Sequence, residues 1–205
     1  MKTILCYGDS NTYGFNPEDG SRYDKNTRWT GILQSNLGAE YKIINEGANN
    51  RTGFVYNPQG VLYSAQNHYP ELIAKYENID IIILSIGTND LQFLYNTNSK
   101  TIEEGLENLI IISKRKTDNI ILIPPVKLNE NILKGFFKIQ FDRTSIEKSQ
   151  TAGEIYAKLA QIHECKIFDI NEFTHPSKTD GLHYSIKSHK LIADNLAKFI
   201  LAQNF

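Results

Sequence analysis

From Ile79 to Ile86 the chain is almost unbroken isoleucine and leucine, with only Asp80 and Ser85 between them. This is its most apolar stretch. A near-continuous apolar run of this kind marks a strand buried on both faces, as at the centre of a parallel sheet. A parallel sheet needs crossover connections and helices on both faces, so one segment already restricts the rest of the chain to an α/β plan.

The remaining pattern agrees. Residues 2–7 form a short apolar run ending at Gly8, and Tyr41–Asn45, Asn119–Ile123 and Lys166–Ile170 read as further strands. Between them lie helical spacings. Trp29, Ile32, Leu33 and Leu37 stop at Gly38, a C-cap signal. Residues 64–76 carry Tyr69, Leu72, Ile73 and Tyr76 on one face, with Pro70 expected near the first turn. Thr101 and Glu104 resemble a capping box for a helix to about Lys116. Residues 145–163 and 185–201 give two more helices, and 126–143 fit no single period despite Phe136, Phe137, Ile139 and Phe141.

Five strands alternating with helices predict a three-layer αβα sandwich on a flavodoxin-like five-stranded parallel sheet of order 2-1-3-4-5. The 205 residues contain no repeat, low-complexity tract or linker, so a single domain over 1–205 is expected. In that order Cys6 and Cys165 lie three strand spacings apart, about 14 Å. A disulfide spans at most roughly 7 Å between Cα atoms, so two free thiols are expected.

With 22 basic against 23 acidic residues, charge offers no case for nucleic acid or an anionic membrane. No apolar run reaches the roughly 20 residues of a membrane span, and nothing at the start reads as an export signal. The expected setting is cytoplasmic, with reduced thiols. There is no phosphate loop of the Gly-x-x-x-x-Gly-Lys-Ser/Thr type, no Gly-x-Gly-x-x-Gly after the first strand and no His-Glu-x-x-His. Neither cofactor nor metal is expected.

In open α/β sheets, ligands bind beyond the carboxyl ends of the strands. Four segments fall there: Gly8-Asp9-Ser10-Asn11, Gly47, Gly87-Thr88-Asn89-Asp90 and Asp180-Gly181-Leu182-His183. Each has a plainer reading, as a turn serine, a turn glycine, a turn Asn-Asp pair or a surface histidine. Together they supply one chemistry. Ser10 is an alcohol that needs a base. His183 is that base, with Asp180 three residues ahead to fix its tautomer. The Asn89 amide and the Gly47 N–H can donate to a developing oxyanion.

The order and placing of these blocks, with Asn45-x-Gly47 as the second, resemble the SGNH (GDSL-type) hydrolases over nearly the whole chain. The resemblance implies Ser10 as nucleophile, His183 as general base, Asp180 as its orienting acid, and the N–H groups of Ser10 and Gly47 with the Asn89 side chain as the oxyanion hole. Gly8-Asp9-Ser10-Asn11-Thr12-Tyr13-Gly14, Arg28-Trp29 and Glu46-Gly47 followed by Arg51-Thr52-Gly53 look like the arylesterase and acyltransferase-like branch. Asn11 stands where the eponymous motif has leucine, a departure expected to leave the mechanism untouched.

Asp9 and Asp90 are expected to brace the site loops. Arg51 is read either as positioning substrate or as pairing with a carboxylate. Trp29 is read as core. Phe136 and Phe137, with Phe141, are read as lining an acyl pocket or an oligomer contact, against buried packing. The resulting expectation is a serine esterase for a small-molecule ester, of short or acetyl acyl chain, with room for a homo-oligomer. A thioesterase or lysophospholipase is the near rival. A flavodoxin-like module binding a flavin or anion, or a silent family member serving as an interaction domain, is the alternative outside catalysis.

Overall fold

Strand β3, Ile81–Ser85, lies fully buried between β1, Lys2–Gly8, and β4, Ile120–Leu122. Outside them run β2, Tyr41–Gly47, and β5, Lys166–Ile167, to give a wholly parallel sheet of order β2-β1-β3-β4-β5. The computed structural model describes residues 1–203 and Phe205. The sheet order is the one the strand pattern predicts. The apolar runs of β1, β3 and β4 are buried on both faces because helices cover both.

The helices are α1, Ser10–Tyr13; α2, Trp29–Leu37; α3, Ala65–Ala74; α4, Ser99–Lys114; α5, Arg143–Ile162; and α6, Ile186–Ala202. Helix α2 packs on α6, while α3, α4 and α5 pack in succession. None of these helices is long and apolar enough to cross a membrane. Cys6 and Cys165 are unpaired and buried.

Local chemistry moves several boundaries. Asn98, rather than Thr101, caps α4, its side chain accepting the Thr101 N–H. Asp142 and Ser145 make a reciprocal capping box, which starts α5 before the apolar spacing begins. Pro70 lies in the second turn of α3, not the first, because Ser64 starts the helix at Ala65. The aperiodic 126–143 stretch holds two 3-10 turns, Glu130–Leu133 and Phe136–Ile139, whose three-residue pitch matches neither a strand nor an α-helix.

Register aligns the strand ends. Gly8 pairs with Gly47 on one side and with Ser85 on the other. The connections that follow β1, β2 and β3 therefore leave the sheet at one level, beside the 177–185 segment that precedes α6.

Candidate active site

The Ser10 turn begins where β1 ends. Asp9 has an extended backbone and caps α1 by accepting the Asn11 N–H at 3.0 Å. Ser10 follows as the first residue of α1, so its own N–H is one of the groups a helix leaves unpaired. The opposite loop is organised by Asp180. Its Oδ1 accepts the N–H groups of Leu182, at 2.9 Å, and His183, at 3.0 Å, while Oδ2 lies 2.6 Å from His183 Nδ1. Gly181 has φ of 71°, and a Cβ there would fall 2.6 Å from the Ile132 backbone nitrogen. Only glycine fits this corner.

The two loops meet through His183 Nε2, 2.9 Å from Ser10 Oγ. Burial opposes ionisation of Asp180, but the hydrogen bonds and charge attraction of His183 outweigh it and hold the carboxyl below its ordinary value. An ionised Asp180 can only accept, which puts the His183 proton on Nδ1 and leaves the Nε2 lone pair facing the Ser10 hydroxyl. The imidazole lies between aromatic rings, with Phe15 at 4.2 Å and Phe137 at 5.2 Å between centroids.

The amide of Asn89 is fixed at both ends. Its Oδ1 accepts from Gln92 Nε2 at 3.1 Å, and its Nδ2 donates to the Arg51 carbonyl at 3.0 Å. An amide nitrogen has two N–H bonds, so one remains for the cavity that Asn89 lines. Gly47 departs from expectation. Its N–H donates to Asn45 Oδ1 at 3.0 Å, and it is not part of the cavity wall. The position needs glycine for another reason, since a Cβ would lie 2.1 Å from the Tyr13 backbone nitrogen. Gly47 is where β2 touches the Ser10 turn. Asn45 makes the same contact, donating to the Thr12 carbonyl at 2.7 Å. Three residues beyond Gly47, Asn50 lines the cavity with a left-handed φ of 59°. Its N–H has no partner among the described residues.

Arg51 also departs from expectation. It is buried beneath the site, where its guanidinium donates to the carbonyls of Gly8, Glu46 and Leu62 and stacks on Tyr7 at 4.4 Å. Among the described residues it pairs with no carboxylate, and it does not line the cavity. Burial lowers its pKa, partly offset by Tyr7 and Glu46. The buried Asp90 accepts the N–H groups of Gly53, Phe54 and Val55, the bracing expected of it.

Ser10 and His183 open into a cavity of about 620 Å³. Phe15, Phe136, Phe137, Phe141 and Leu182 make an apolar wall. Asn49, Asn50, Asn89 and Gln140 supply amides, and Glu18 and Asp19 add carboxylates. Asn49 Oδ1 is buried without a hydrogen-bond partner among the described residues. Phe136 and Phe137, for which the sequence left an acyl pocket, an oligomer contact and buried packing open, line the cavity, with Phe136 largely exposed. Phe15, Asn49, Asn50 and Gln140 were not anticipated. Only the nearness of Phe15 to Ser10 along the chain hinted at it. Among the described residues, no group of three or more His, Cys, Asp or Glu is placed to hold a metal ion.

The fold has close structural counterparts. The inhibitor-bound aryl esterase of M. smegmatis is 25% identical, with a TM-score of 0.87 over 98% of this chain and 99% of its own. A carbohydrate acetylesterase family member from Sinorhizobium meliloti is also 25% identical, with a TM-score of 0.84 over 98% and 97%. A second S. meliloti carbohydrate acetylesterase, Est24, is 24% identical with a TM-score of 0.87 over 98% and 99%. No curated protein matches the chain. The model of the GDSL-like lipase/acylhydrolase family matches residues 4–196. The chain is therefore a member of the GDSL-like lipase/acylhydrolase family, the SGNH hydrolases that its four sequence blocks resemble.

Proposed function

We propose that the protein is a serine esterase for small carboxylic esters, acting through an acyl-enzyme on Ser10. The observation that carries this reading is the continuous relay from Ser10 Oγ through His183 to Asp180, at 2.9 and 2.6 Å, opening into the cavity. His183 Nε2 takes the hydroxyl proton as Ser10 Oγ bonds to the ester carbonyl carbon. Asp180 stabilises the imidazolium that forms. The oxyanion is met by the N–H of Ser10 and the free N–H of Asn89 Nδ2. Because Gly47 is committed to Asn45, the Asn50 N–H is the backbone donor that completes the set. Collapse breaks the bond to the alkoxy oxygen, and His183 returns its proton to the leaving alcohol. Water, or a second alcohol, then gives its proton to His183 and attacks the acyl carbon; the bond from the acyl carbon to Ser10 Oγ breaks, and His183 returns the proton to Ser10.

The two-sided cavity favours an ester with an apolar part and a hydroxyl-bearing part. The aromatic wall suits the acyl group or an aryl leaving group. The amides, and the unpartnered Asn49 Oδ1 in particular, suit the hydroxyls of a carbohydrate or polyol. The names of the aryl esterase and the carbohydrate acetylesterases are consistent with both halves. Short acyl chains, acetyl first, are the substrates this reading selects.

The test is turnover of nitrophenyl esters from acetate upward, alongside acetylated sugars and acyl-thioesters. Wild type should prefer the short esters, be labelled on Ser10 by a fluorophosphonate, and lose turnover in a folded Ser10→Ala variant. Full activity in that variant would overturn the mechanism. A preference for thioesters or long chains would overturn the substrate assignment alone.

A further inference from the structure

The Asn11 side chain is buried and reaches across to the histidine loop. Its Oδ1 accepts the Tyr184 N–H at 3.0 Å, and its Nδ2 donates to the Leu182 carbonyl at 3.4 Å. One amide thus grips the main chain immediately before and immediately after His183. A backbone N–H can only donate and a carbonyl can only accept, so the orientation of the amide is settled by its partners. We propose that Asn11 is a positioning residue for the reaction, setting where His183 Nε2 stands relative to Ser10 Oγ.

Three observations support the assignment, which rests on the Ser10–His183 reading above. Among the described residues, the bonds of Asn11 are the hydrogen bonds that join residues 8–14 to 177–186, apart from the Ser10–His183 contact itself. The histidine loop is otherwise tied to itself, by Ser177 N–H to the His183 carbonyl and Gly181 N–H to the Ser177 carbonyl, to Asn129, whose N–H the Gly181 carbonyl accepts, and to Glu18, whose carboxylate accepts from the Thr179 hydroxyl at 2.5 Å. None of those bonds reaches β1 or α1.

Secondly, Asn11 and Ser10 are adjacent, so anything that locates Asn11 against the loop locates the nucleophile too. Thirdly, the Asn11 carbonyl is held by the Trp29 indole N–H at 3.1 Å, and the Trp29 backbone N–H is accepted by His189 Nδ1 at 3.2 Å on α6. The clasp is anchored behind by the helix that follows the histidine loop. Leucine, the residue of the eponymous motif, could make neither side-chain bond. The asparagine is therefore not neutral to the mechanism, as the sequence alone suggested.

The experiment compares Asn11→Leu and Asn11→Asp with wild type, with turnover expressed per serine titratable by fluorophosphonate. Asp retains an acceptor for the Tyr184 N–H but loses the donor to Leu182. The expected result for Asn11→Leu is a fall in kcat per titratable serine of about 10²-fold, the order that a 1 Å displacement of a reacting group can cost. KM should stay within about twofold. Asn11→Asp should fall between the two. A purely structural role would reduce the titratable fraction and leave the per-site kcat intact, and that result overturns the proposal. If Asn11→Leu does not fold, Asn11→Asp carries the same test: per-site kcat equal to wild type overturns it. Ser10→Ala, run in parallel, separates failure of the catalytic reading from failure of the clasp.

Discussion

At the scale of the residue, the proposed mechanism divides the site into groups that touch the reacting atoms and groups that hold them. Asn89 belongs to the first. Removing one preorganised oxyanion donor costs on the order of 2.7–4 kcal/mol, so Asn89→Ala should lower kcat by roughly 10²–10³-fold with little change in KM. Steady-state kinetics on nitrophenyl acetate would check this. Gly47 belongs to the second group. Its Ala variant would drive a Cβ to within 2.1 Å of the Tyr13 backbone nitrogen, an approach that backbone cannot relieve cheaply. Gly47→Ala should therefore lower the melting temperature, by about 2–4 °C for each kcal/mol lost in a chain of this size. A variant of unchanged melting temperature and sharply reduced kcat would return Gly47 to the oxyanion hole. The Asn45-x-Gly47 motif was legible in the sequence, but its purpose was not. Spacing along β2 does not say which way an N–H points.

At the scale of the element, α6 links the site to stability through His189. This ring is fully buried, and its Nδ1 accepts the Trp29 N–H. Burial, aided by the charges of His183 and Arg28, lowers its pKa from 6.5 to about 3. The folded protein therefore keeps His189 neutral where the unfolded chain would protonate it. Its contribution is complete above about pH 6.5 and is lost as pH falls towards about 3, at up to ~1.4 kcal/mol per pH unit. Denaturant titrations between pH 7 and 4 should show stability falling. His189→Asn, which preserves an acceptor near the Nδ1 position, should flatten that slope. An unchanged slope would assign the acid sensitivity elsewhere. The sequence marks α6 by its helical spacing but carries no sign that His189 is buried. Its burial against Trp29 needs α2 and α6 to be packed together, and no local pattern records that contact.

At the scale of the whole molecule, the sheet order separates the thiols and buries them. Burial raises both pKa values, that of Cys165 to about 11 and that of Cys6 further. Native protein should react slowly with a disulfide reagent such as dithionitrobenzoate at neutral pH. Denaturation should release two equivalents, matching the two cysteines, and reductant should leave the melting temperature unchanged. Rapid native labelling would contradict the packing of β1 and the β5 region. The same sheet order brings residues 173 positions apart, Ser10 and His183, to hydrogen-bond distance.

The sequence by itself determined the parallel sheet and its order. Apolar runs and helical spacings are local signals, and five alternating units leave few ways to cover a sheet on both faces. It also determined which four segments meet, because strand ends in such a fold share one edge. Only the tertiary structure decided what each group there does. It turned Gly47 away from the cavity, sank Arg51 beneath it and brought Phe15, Asn49 and Asn50 to its wall. It also made Asn11 the bridge between the Ser10 turn and the His183 loop. The direction of an N–H, the partner of an amide and the burial of a cation depend on contacts between distant segments, and periodicity carries no information about them.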